Sequence, residues 1–222
     1  MLALLALPVS LLGMQQTIAE RLDGRVPPEV GALVQQLGVA ASARGLPVDP
    51  LIQKAIEGSA KRVPAERISA AVRLVVAQLD TAAAALREGG VTTDTLVIAA
   101  GAFAINAGLS AHDLTALART RAATPALMVG LRVAGTLAAM GVPPAEDIGL
   151  ISTKLRSGQP AADLLELPGS VQAEISRGVT PAQAAAGLER AAAAQSRHGP
   201  PPGHGQPPHP PHPSHPPAPP HP

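Results

Sequence analysis

The chain of 222 residues carries 17 basic and 16 acidic side chains, so its net charge of +1 gives no strong steering toward nucleic acid or an anionic membrane. It has no Cys, which excludes disulfides, thiolate metal sites and cysteine nucleophiles. With no Trp or Tyr, and Phe103 as the only aromatic, it lacks stacking platforms for single-stranded nucleic acid, and its core must be built from Ala, Leu, Val and Ile.

All charged side chains lie between Glu20 and Arg197, which divides the chain into an apolar head, a charged middle and an uncharged tail. The head runs from Leu2 to Leu12 and is followed by Thr17-Ile18-Ala19, small at the positions a signal peptidase inspects. Residues 1–19 therefore predict a signal peptide cut after Ala19, although it has no basic n-region, Met1 being followed directly by the apolar run. The apolar run is shorter than the roughly 20 residues of a membrane span. Met14 stands where a lipoprotein leader would carry Cys.

Residues 20–197 repeat one piece of punctuation: a Gly or Arg, an apolar residue, then Pro, Ser or Thr, and a helical run. It occurs at Gly45, Arg62, Gly90, Gly108, Gly141, Gly158 and Gly178. The Gly ends one helix in a left-handed conformation, and the residues after it cap or start the next. Ser110 with Asp113 and Thr180 with Gln183 have capping-box spacing. Four pairs have staple spacing: Leu46 with Leu51, Val63 with Ile68, Val91 with Leu96, and Leu109 with Leu114. Thr124-Pro125 predicts a break, with one helix stopping near Arg121 and another starting near Pro125.

The residues that follow the Gly or Arg of this punctuation fall at 46, 63, 91, 109, 142, 159 and 179, all apolar but Gln159, and short intervals alternate with long ones. No run alternates as a strand would. The pattern predicts an all-α fold of antiparallel helix pairs repeated about every 45–50 residues, either α-solenoid-like or an irregular helical bundle. In repeat length and helix pairing alone it resembles HEAT and armadillo repeats, whose sequence signatures it lacks.

Chemistry-bearing residues in this zone have structural explanations. His112-Asp113 looks catalytic, but Ser110 as cap makes Asp113 the third helical residue, and Glu146-Asp147 fit a first turn, where the macrodipole favours acids. The stretch with Lys54, Lys61, Arg62, Arg67 and Arg73 reads as a solvated face, with Glu57 four residues before Lys61. Arg119, Arg121 and Arg132 form a second basic cluster with no acid between Asp113 and Glu146. Residues 95–111 carry no charge and read as a buried central helix; Ala100, Ala104 and Gly108 recur every fourth residue and would admit a neighbour closely. No phosphate loop, dinucleotide fingerprint or nucleophile elbow is present, so no enzyme activity is expected.

Residues 198–222 are a His/Pro-rich tail whose proline density predicts polyproline II or disorder. His209, His212, His215 and His221 would share one face of such a helix, about 9 Å apart between neighbours, too far for one tight metal site. With His204 they are candidates only for weak Zn, Ni or Cu binding, and no cofactor is otherwise implied. The sequence predicts an exported, periplasmic or secreted, non-enzymatic helical protein that binds another protein. The alternative is weak divalent-metal buffering through the tail.

Overall fold

The computed structural model describes residues 17–91, 94–158 and 160–198, with the backbone alone for residues 196 and 198. The described residues form helices and no strand: α1 (Ile18–Leu22), α2 (Pro28–Ala43), α3 (Asp49–Ala60), α4 (Ala65–Glu88), α5 (Thr95–Asn106), α6 (Ala111–Ala118), α7 (Thr124–Ala139), α8 (Pro144–Arg156), α9 (Ala161–Leu165), α10 (Leu167–Ser176) and α11 (Pro181–His198). The boundary expected after Ala19 falls within α1. There Thr17 and Glu20 make a reciprocal capping box, and Ile18 reaches α2 at Gly38.

Helix ends follow the punctuation. Gly45, Arg62, Gly90, Gly108, Gly141, Gly158 and Gly178 all have positive φ, and so does Arg121 before the Thr124-Pro125 break. At the end of α2, Gly45 N–H donates to Ser42 O (2.9 Å) and Leu46 N–H to Ala41 O (3.0 Å), the paired bonds of a Schellman closure. Val63, Val91, Leu109, Val142 and Val179 donate back in the same way to Gly58, Leu86, Ala104, Leu137 and Glu174. The apolar residue of the punctuation thus closes the preceding helix as well as leading into the next. α6 ends at Ala118, and α7 starts at Thr124 with Pro125 in its first turn, where proline's missing N–H costs nothing.

Each helix rests on near neighbours in the chain: α3 on α4, α4 on α5 and α6, α5 on α7, α7 on α8 and α9, and α8 on α6 and α11. The interior is small and aliphatic, with Ala55, Ala82, Ala100, Ala104 and Ala134 among Leu, Ile and Val. α5 and α7 approach closely: a Cβ on Gly135 would lie 3.0 Å from the Ala104 Cα. Among the described residues α4 alone is long and apolar enough to cross a membrane, and its Ile68, Val72, Leu79 and Leu86 belong to the core.

Candidate functional site

Most of the polar candidates are helix caps or surface pairs. Ser110 N–H donates to Asp113 Oδ2 (2.8 Å) and Asp113 N–H to Ser110 Oγ (3.2 Å), so the "SAHD" stretch is a helix cap beside an exposed His112. Thr180 and Gln183 cap α11 in the same reciprocal way. Glu57 accepts from Lys54 (2.8 Å) and Lys61 (2.5 Å), and those hydrogen bonds hold its carboxyl down at about 2. Arg119 pairs with Glu88 across the α4–α6 seam at 3.1 Å.

The two basic clusters do not share a groove beside α5; of their residues only Arg132 lines it. This groove, of about 510 Å³, is walled by Leu46, Val48 and Pro50 at the start of α3, by Leu96 and Ala99 on α5, and by Arg132 on α7. Leu96 is 62 % exposed, contrary to the expectation of a buried central helix and of a closed staple between Val91 and Leu96. The reason is geometric. α5 is apolar around its whole circumference, but α4 and α7 cover only part of it, through Val97, Ile98, Ala100, Gly101 and Ala104. Phe103, 42 % exposed, lies two turns beyond Leu96 on the same face. Among the described residues no carboxylate pairs with Arg132, whereas Asp49 at the groove's other side is held by Arg21 of α1. The groove therefore offers apolar side chains next to an unneutralised guanidinium.

A second feature corrects the macrodipole account of Glu146-Asp147. Glu146 stays half-buried at the surface, but Asp147 is 0 % exposed, and neither carboxyl oxygen has a hydrogen-bond partner. A carboxyl satisfied by the helix end would accept from its free N–H groups, and this one does not. The sequence held the signal: Asp147, Leu150, Ile151 and Leu155 are spaced as one buried stripe, and all four are buried.

Among the described residues no group of three or more His, Asp or Glu is placed to hold a metal. The tail candidates His204, His209, His212, His215 and His221 lie outside the described residues. Comparison with family models, with curated proteins and with solved structures gives no match.

Proposed function

We propose that the chain is an exported, non-enzymatic α-helical interaction module, with helix pairs repeating about every 45–50 residues. Its α3/α5/α7 groove takes an amphipathic helical segment of a partner protein that carries a carboxylate beside its apolar anchors. The observation that supports this reading is Leu96, largely exposed on an otherwise apolar helix and set beside the unpaired Arg132. Helix-in-groove recognition needs this combination: an apolar trough for residues at i, i+3, i+4 and i+7, with a charge that fixes orientation. The repeat is supported by the alternating helix starts. Export rests on the head of the sequence alone.

The test is affinity capture with the full chain, with L96E, with R132E, and with V39E as a control at another exposed apolar residue. A partner lost about tenfold or more by L96E and R132E, kept by V39E and kept after removal of residues 198–222, is the expected result. Equal capture by all four forms refutes the groove. Loss only on removing the tail moves the function there.

A further inference from the structure

Asp147 sits in the first turn of α8, in a part of the molecule the proposed groove does not use. Its side chain is fully enclosed and both oxygens are without partners. Its own N–H is spent on Pro143 O (3.0 Å), Pro143 and Pro144 have no N–H to offer, and the carboxyl accepts from none of the remaining first-turn N–H groups. A buried carboxylate without donors is far more costly than the neutral acid.

The groups around it deepen that preference. From α6 comes Asp113, whose Oδ2 already accepts from the Ser110 N–H and hydroxyl, and whose charge opposes a second one nearby. The ionisable side chain of α7 is Arg132, which lines the groove toward α3 and α5. From α11, Glu189 lies over Gly149, which is two residues and so about 200° around α8 from Asp147. Arg190 and Arg197 of α11 are exposed and bond back to their own helix. On α8, Glu146 is adjacent, and Lys154 lines a separate cleft with Asp163 and Glu166. His112 of α6 and Arg156 of α8 are exposed, and Arg119 at the end of α6 pairs with Glu88. Among the described side chains no cation faces the carboxyl.

We infer that Asp147 is a proton-binding residue: α8 seats against α6 and α11 with this carboxyl neutral, and loss of the proton loosens that seat. Burial first, and the Asp113 charge second, push its pKa from 3.8 up to about 8. The native state thus keeps a proton that the unfolded chain releases above about pH 4. The resulting stability is complete below that pH, falls as pH rises, and is gone above about 8, with the folding equilibrium constant dropping about tenfold per unit in between.

Two measurements test this on the full chain. With aspartate side-chain carbons labelled, one of the seven aspartates is expected to titrate near pH 8 and to vanish from the spectrum in Asp147→Asn. In urea unfolding between pH 5 and 8, the unaltered chain should lose about 500-fold in folding constant relative to Asp147→Asn. If no aspartate titrates above pH 6, or if Asp147→Asn keeps the full slope, the inference is wrong. Should Asp147→Asn fail to fold, the titration of the unaltered chain decides alone.

Discussion

Gly89→Ala is the sharpest test of how tightly α4 and α6 are joined. Gly89 caps α4 with an ordinary helical φ of −72°, so a side chain there meets no backbone strain. Space is the obstacle: a Cβ would stand 2.2 Å from the Ala118 Cβ and 3.2 Å from the Thr115 carbonyl oxygen. Carbon atoms in contact prefer about 3.5–4.0 Å, so the seam must open by more than about 1 Å. The seam resists, because the buried Thr115 hydroxyl bridges to Ala85 O (3.2 Å) and Arg119 pairs with Glu88. Overpacking of this kind costs about 1–3 kcal/mol, against a gain of about 0.5–1 kcal/mol from replacing Gly by Ala in a helix. The net expectation is a loss of about 1–2 kcal/mol. Ala118→Gly alone should cost about 1–2 kcal/mol through propensity and one lost buried methyl. In the double variant the methyl has merely changed sides, so its cost should fall below the sum by about 1 kcal/mol or more. Gly187→Ala in α11 is the control, since a Cβ there meets nothing within 4 Å, and it should stabilise by about 0.5–1 kcal/mol. Urea unfolding followed by far-UV circular dichroism is the assay, because the chain has no Trp or Tyr. A stabilising Gly89→Ala, or a double variant additive within about 0.5 kcal/mol, would refute the reasoning.

Other outcomes follow from single contacts. Arg62→Gly and Arg121→Gly, at φ of 56° and 57°, should each stabilise by about 0.5–1 kcal/mol in the same assay, since neither arginine has an ion pair to lose among the described residues. Ser110→Ala removes one half of the α6 cap and should cost about 1 kcal/mol, read from the urea midpoint. A chain starting at Glu20 should be about 1–2 kcal/mol less stable than one starting at Thr17, because it loses the α1 cap and the partly buried Ile18; equal thermal midpoints would show that α1 adds nothing.

What is legible in the sequence is what is decided locally. A helix-ending residue at positive φ is fixed by its own turn, so Gly45, Arg62 and Gly141 declare their helix ends without reference to the rest of the fold. Pro125 likewise separates α6 from α7 by its own geometry. Leu96 and Asp147 are not legible in this way, because their fate depends on which neighbour covers them. α5 has no polar stripe to mark its open side, so in the sequence Leu96 reads as buried as Ile98. Asp147 has a sufficient local explanation in the first turn of α8, and only the packing of other helices against α8 removes its water.

α7 links the groove to the helix that carries the buried carboxyl: its Arg132 lines the groove, and it packs on α8. Its Gly130 takes the side chains of Ile151 and Leu155 from α8, while its Gly135 takes Phe103 and the Ala104 backbone of α5. Small residues at both contacts leave little slack, so a shift of α8 away from α6 bears on α7 directly, and α7 carries Arg132 into the groove. Thermodynamic linkage makes the consequence reciprocal: if a partner in the groove holds α7 in place, it raises the proton affinity of Asp147 by the factor by which the proton raises the partner's affinity. A partner whose affinity is the same at pH 6 and pH 9 would mean that α7 does not move with α8, and that the two sites share a helix without sharing a state.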